Sequence, residues 1–112
     1  MAERLIRRGD IYWVDLPKGR EIKDIHPALV VSNDRQSNAS PLIVIIPITS
    51  LKEGDKVFSF QVTITLKNES VILVDQIRTL DRDKFKDKIT EIDDGLMEEV
   101  ENKVHFVLAL KN

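Results

Sequence analysis

The sequence predicts a small, curled antiparallel β-sheet with one helix packed on it at the C-terminal end. Three observations carry that expectation. The chain has 112 residues, enough for one compact domain with one core. Most of it divides into short β-branched or alternating runs separated by turn residues. Only its last twenty residues carry an apolar face at helical spacing. Several short strands followed by one helix suggest a mainly β fold, a small sheet with a helix packed on it. No repeat, linker or low-complexity tract divides the chain, so residues 1–112 are expected to form a single domain.

The elements follow in order. Asp10 to Leu16, DIYWVDL, is aromatic and β-branched and reads as a first strand, ended by Pro17, Lys18 and Gly19. Arg20 to Ile25 is a charged loop. Pro27 pushes His26 to extended backbone, and Ala28 to Val31 reads as a second, buried strand. Asn33 to Ser40 is a polar connection. Leu42 to Thr49 is short, almost wholly apolar and broken by Pro47, which predicts a central strand that bends near its end. Lys52 to Lys56 with Gly54 is a turn. Phe58, Phe60, Val62 and Ile64 alternate with Ser59, Gln61, Thr63 and Thr65, as in a half-buried strand. After a turn at Lys67 to Glu69, Val71 to Val74 reads as a strand running on through Ile77, and Lys86 to Ile92 as a last short one. Asp93 or Asp94 is a suitable N-cap for the helix, whose apolar face is Met97, Val100, Val104, Val107 and Leu108.

Composition excludes several function classes. There are no cysteines, hence no disulfide, thiolate nucleophile or thiolate metal site, a usage that suits a reducing cytoplasm. The longest apolar run, Pro41 to Ile48, is far short of the ~20 residues a bilayer span needs, and MAERLIRRGD carries no apolar signal segment. The expected location is therefore cytoplasmic, with no membrane partner. Hydrophobic residues make up 42% and charged residues 32%, a globular composition. Net charge is −2, which by itself argues against nucleic-acid binding, but the excess acid sits in residues 81–112 and leaves the front two-thirds neutral to slightly basic.

No phosphate loop, dinucleotide fingerprint, zinc-protease motif or nucleophile elbow is present. The two histidines, His26 and His105, belong to no short pattern of metal ligands, and no metal or cofactor is expected. His105 lies beside the helix's apolar stripe and reads as structural or superficial. Three polar insertions abut apolar strands: His26-Pro27, Thr49-Ser50, and Asp75-Gln76 with Arg78-Thr79. A rigid sheet holds such groups at its rim, where function concentrates. Each also has a plain structural reading, as a turn start, a backbone partner or a surface cation, and spacing alone does not bring them together.

A resemblance joins them. RGDIYWVDL at Arg8–Leu16, KGxE at Lys18–Glu21, PALVVSND at Pro27–Asp34, PIT at Pro47–Thr49 and DQIRTLD at Asp75–Asp81 are similar to the MazF/PemK/Kid toxins of bacterial toxin–antitoxin systems, and the tail LDRDKFKDKITEIDDGLMEEV is similar too. The resemblance implies an SH3-like antiparallel β-barrel with a C-terminal helix, usually a homodimer. It implies a ribosome-independent, metal-independent endoribonuclease, an mRNA interferase. Such an enzyme cuts single-stranded RNA at short sequences through the RNA's own 2′-hydroxyl, leaving a 2′,3′-cyclic phosphate and a 5′-hydroxyl. It implies an antitoxin whose disordered C-terminal segment wraps the dimer, with DNA reached only through that antitoxin.

The chemistry needs a group to take the 2′-hydroxyl proton, one to protonate the leaving oxygen, and donors for the phosphorane charge. By the resemblance, Thr49 matches a catalytic threonine, Gln76 a glutamine that holds RNA, and Glu21 an acid of the RNA groove. Asp75 matches an aspartate of the PemK/Kid branch, whose companion arginine is replaced here by Leu73. Ser50 adjoins Thr49 in the same RNA-binding region, and Arg20 and Arg78 are further candidates for charge stabilisation. The family's main catalytic arginine precedes the proline of the second strand, and that position is His26 here. Arginine is a permanent cation; histidine can act as acid or base and is charged part of the time. His26 therefore either does the work by another division of labour, or cleavage is weakened or lost. A gyrase-poison-like binding toxin of the same barrel class, such as CcdB, and a catalytically inactive homologue are the alternatives. Tyr12 and Trp13 could stack on bases, but in a strand such as DIYWVDL they are expected in the core or at an interface.

Overall fold

A computed structural model describes residues 5–16 and 24–111. Seven strands and two helices follow one another as β1 (Asp10–Leu16), β2 (Asp24–Val30), α1 (Asp34–Ala39), β3 (Leu42–Ser50), β4 (Val62–Thr65), β5 (Glu69–Ile72), β6 (Arg78–Asp81), β7 (Phe85–Glu91) and α2 (Asp94–Leu108). The expected SH3-like, mainly β architecture with a C-terminal helix is what forms. The sheet is antiparallel, in the order β4-β5-β3-β2-β1-β7, with β6 pairing β3 off that path, and it curls into a half-barrel.

β3 is the hinge of this arrangement. One of its edges pairs with β2 at Val30–Ile45, Leu29–Ile46 and Ala28–Pro47. Its other edge pairs first with β6, from Leu42–Asp81 to Ile45–Arg78, and then with β5, from Ile48–Ile72 to Ser50–Ser70. Pro47 sits where that second edge changes partner. Its carbonyl accepts from the Leu73 amide at 2.9 Å on that side, and in a strand a residue's N–H points the same way as its C=O. The missing proline donor thus falls in the gap between β5 and β6, where no ladder bond is lost.

Alternation splits the core between the two faces of the sheet. One cluster contains Ile6, Tyr12, Val14, Leu16, Ala28, Val30, Ile43, Ile45, Leu80 and Phe85, with Tyr12 set edge-on to Phe85 at 5.4 Å. The other contains Ile11, Leu29, Ile46, Ile48, Val62, Ile72, Val74 and Val100. α2 packs on the second through Leu96, Met97, Val100, Val104 and Val107. Its N-cap is Asp93, whose carboxylate accepts from the Leu96 amide at 2.8 Å.

Four expectations need correction. The connection at Asn33–Ser40 is helical over Asp34–Ala39, because the Asn33 side chain caps it by accepting from the Gln36 amide at 2.8 Å. The alternating run Phe58–Thr65 pairs only from Val62, because its neighbour β5 is four residues long and offers no partner to Phe58–Gln61. The run Val71–Ile77 is broken by a 3-10 turn at Val74–Gln76, after which β6 appears as a separate strand; the chain must step between the two segments that share one edge of β3. β2 also starts earlier than Ala28, so His26 lies within a strand.

The RGD stretch before β1 is a built turn. Gly9 has φ +93°, a left-handed conformation that favours glycine. The buried Asp10 carboxylate accepts from the Arg7 amide at 2.9 Å, and the Asp10 amide donates back to the Arg7 carbonyl at 3.0 Å. Lys88 on β7 stands 3.3 Å from the same carboxylate. The turn aims Arg8 at three elements: its amide donates to Asp34 of α1 at 2.7 Å, and its guanidinium binds the Val31 carbonyl and Glu101 of α2.

Candidate active site

The expected site residues fall into two groups. Arg20 and Glu21 lie outside the described residues. The remaining six are set by β2, β3, β6 and the 3-10 turn.

The register of β2 against β3 decides the first placement. Each step back along β2 is a step forward along β3, and the recorded ladder reaches Ala28–Pro47. The ladder stops there; the same register continued two residues further would bring His26 toward Thr49. Residues opposed across a ladder share a face of the sheet. His26 alternates with Ala28 and Val30, and Thr49 with Ile43 and Ile45, so both belong to the face of the first cluster. On its other side His26 is opposite Val14 of β1. His26 and Thr49 are both half-buried, and Ser50 beyond them is exposed. Each residue is held by the ladder recorded for it: β1 beside His26, and β5 beside Thr49 through Thr49–Val71.

Asp75 and Gln76 are exposed on the 3-10 turn. The Gln76 amide donates to the Leu73 carbonyl at 2.8 Å, and the Leu73 amide donates to Pro47 at 2.9 Å. The turn is thereby tied to β3 two residues before Thr49, roughly 7 Å along the strand. Arg78 is exposed and opposite Ile45, on the same face as Leu80 and the first cluster. Four residues separate Ile45 from Thr49, roughly 13 Å along β3. Arg78 thus stands apart from Thr49.

Tyr12 is buried in the core, as expected, while Trp13 is 42% exposed beside Pro27. His105 is exposed near the C-terminal end of α2, and its carbonyl accepts the amides that close the helix. Among the described residues no group of three or more His, Cys, Asp or Glu could hold a metal ion, and no helix is long and apolar enough to cross a membrane. Sequence reading missed two features here. One is Arg8, whose part in joining α1, β2 and α2 no local pattern announces. The other is the stacked pair of exposed Phe58 and half-buried Phe60, hidden by an alternation that mimics a strand.

A half-barrel with a C-terminal helix, and polar groups gathered at the strand ends, define a small β-barrel toxin of the class that the sequence resembles. Residues 7–108 match the family described as PemK-like, MazF-like toxin of type II toxin–antitoxin systems, and the chain belongs to that family. It is 36% identical over 113 residues to the endoribonuclease EndoA of Bacillus subtilis strain 168, with 95% of this chain and 97% of that protein covered. It is 35% identical over 112 residues to the endoribonuclease MazF of Staphylococcus saprophyticus, covering 95% and 93%. Among solved structures, a MazE–MazF crystal structure from Deinococcus radiodurans superposes with a TM-score of 0.81 at 26% identity, covering 97% of this chain and 100% of that one. An endoribonuclease in complex with its cognate antitoxin, from a mycobacterial species, shares the fold with a TM-score of 0.80 at 22% identity, covering 96% and 98%.

Proposed function

We propose that this protein is the toxin of a type II toxin–antitoxin system and acts as a metal-independent, sequence-specific endoribonuclease on single-stranded RNA. The observation that carries the reading is the β2–β3 register, which runs toward His26 opposite Thr49 at the end of the sheet; the relatives named endoribonuclease support it. In the proposed reaction the His26 imidazole takes the proton of the 2′-hydroxyl, and the 2′-oxygen attacks phosphorus. The Thr49 hydroxyl donates to the crowded phosphorane oxygens. The P–O5′ bond then breaks and the 5′-oxygen leaves with a proton from water, giving 2′,3′-cyclic phosphate and 5′-hydroxyl ends. Ser50, Asp75, Gln76, Arg78, Arg20 and Glu21 hold the RNA on either side of the cut. The nucleophile comes from the substrate, so no step requires a metal.

The working form is a homodimer in the cytoplasm, restrained by a cognate antitoxin whose disordered C-terminal segment covers the RNA groove. Folding on binding lets such a segment cover a large surface. The D. radiodurans MazE–MazF structure supports a partner of that kind. A second reading, a weakened or inactive toxin, is favoured by one observation: a histidine stands where the resemblance places a permanent cation.

One digest tests both. A long transcript incubated with the protein in EDTA is expected to be cut at discrete sites, with cyclic-phosphate ends. Cutting that vanishes in EDTA and returns with magnesium or manganese would indicate a different enzyme class. No cutting under any condition would favour the inactive toxin.

A further inference from the structure

We infer that Phe58 and Phe60, with Lys56 beside them, form a base-stacking subsite for a nucleotide flanking the cut; the inference rests on the ribonuclease reading. The two rings lie nearly parallel, 8° apart with centroids 5.5 Å from each other. Phe58 is 46% exposed, although burying such an apolar side chain is favourable. The Lys56 ammonium stands 5.4 Å from the Phe58 ring centroid, a cation–π distance.

The chain fixes this display. The Gln61 amide donates to the Phe58 carbonyl at 3.0 Å, and the Phe58 amide donates to the Gln61 side-chain oxygen at 3.0 Å. A second reciprocal turn precedes it. The Asp55 amide donates to Lys52 at 3.0 Å, and the Lys52 amide donates to the Asp55 carboxylate at 2.8 Å, with Gly54 at φ +86° where a type II turn requires it. The loop between β3 and β4 is thus braced by two turns, and the aromatic pair sits on the second.

Its position points to RNA. The β4–β5 ladder begins at Val62–Ile72. Phe60 and Gln61 come just before Val62, and Leu73 and Val74 come just after Ile72, so the aromatic turn shares one end of the sheet with the turn that presents Asp75 and Gln76. A flat aromatic stack with a mobile ammonium beside it suits a base and its phosphate. Every base has a π-face, so stacking on aromatic side chains is sequence-tolerant.

The test uses the full-length protein. The parent's cut site is mapped on a long RNA, and a fluorescein-labelled 12-nucleotide RNA carrying that site, with 2′-deoxy at the cut position, serves as an uncleavable probe. The double variant Phe58→Ala/Phe60→Ala is expected to bind it at least 5-fold more weakly, with near-parent circular dichroism. Phe58→Leu/Phe60→Leu keeps the apolar bulk without flat faces, so it is expected to lose as much; Phe58→Trp should retain binding. Leucine or alanine variants that bind the probe like the parent would overturn the inference. If they also lost affinity for the cognate antitoxin, the pair would be a protein-docking surface instead. A parent that cuts no RNA would overturn the ribonuclease reading; a random-sequence fluorescein-labelled 12-nucleotide RNA then replaces the mapped probe, and binding alone judges the stacking site. A parent that neither cuts nor binds RNA would overturn both.

Discussion

Replacing Asp10 by alanine removes the centre of the turn that begins the fold, and the structure sets the size of the effect. The Asp10 carboxylate accepts from the Arg7 amide at 2.9 Å and stands 3.3 Å from Lys88. A hydrogen bond to a charged group contributes about 1.5–3 kcal/mol. The ion pair adds little, about 0.2–1 kcal/mol, because the Lys88 side chain is 43% exposed and screened by solvent. Asp10→Ala should therefore cost about 2–3 kcal/mol, a large share of the ~5–15 kcal/mol that holds a domain of this size. Urea unfolding followed by circular dichroism measures it, and the same loss lowers Tm by roughly 10–20 °C. Asp10→Asn keeps the acceptor and loses only the charge, so it should cost under about 1 kcal/mol, and 1 M salt should erase most of that. The reasoning fails if alanine and asparagine cost the same, or if Lys88→Met costs as much as Asp10→Ala.

Lys88 also gives a pH signature. Its hydrogen bonds to Asp10, and then to Glu91, hold its pKa above the ordinary 10.5. A raised lysine stabilises fully below its unfolded pKa and loses that contribution as pH climbs through the folded value. The small difference between parent and Lys88→Met should thus persist from neutrality to about pH 10 and vanish only above it, as urea midpoints across an alkaline series would record. In the core, Val100 is fully buried and carries α2 onto the sheet. Val100→Ala should cost about 1.5–3 kcal/mol, on the scale of buried truncations; a cost below 0.5 kcal/mol in the same urea assay would mean that α2 does not depend on this contact.

How far the sequence reaches is clearest element by element. DIYWVDL becomes β1 with the expected bounds, because its side chains feed both core clusters and a strand is the only backbone that separates them. α2 begins at the expected cap, and its stripe at 97, 100, 104 and 107 is the face it buries; Leu108, counted in that stripe, is 47% exposed. The short helix α1 carried a legible cue, Asn33 followed three residues later by Gln36, but its five polar residues and one alanine show no apolar period. The breaks at Phe58–Gln61 and Val74–Gln76 had no local cue at all. They arise because β5 is short and because two strands share one edge of β3, facts of tertiary pairing. The proposed site divides in the same way. That polar groups at His26 and Thr49 adjoin apolar strands was readable; that those strands are neighbours, paired from Val30–Ile45 to Ala28–Pro47, was not.

The most direct test of the His26–Thr49 centre is the pH–rate profile of RNA cleavage for the parent, His26→Ala and His26→Arg, in EDTA with mapped product ends. With His26 as the base for the 2′-hydroxyl, the parent's rate should rise through the range in which imidazoles lose their proton. His26→Ala should be slower by about 100-fold or more, and His26→Arg should lose the pH dependence near neutrality. A parent rate that falls through that range, restored or raised in His26→Arg, would instead make His26 the cation that stabilises the phosphorane. His26→Ala cutting as fast as the parent, with the same profile, would contradict the assignment outright and leave Thr49 without the partner that the register gives it.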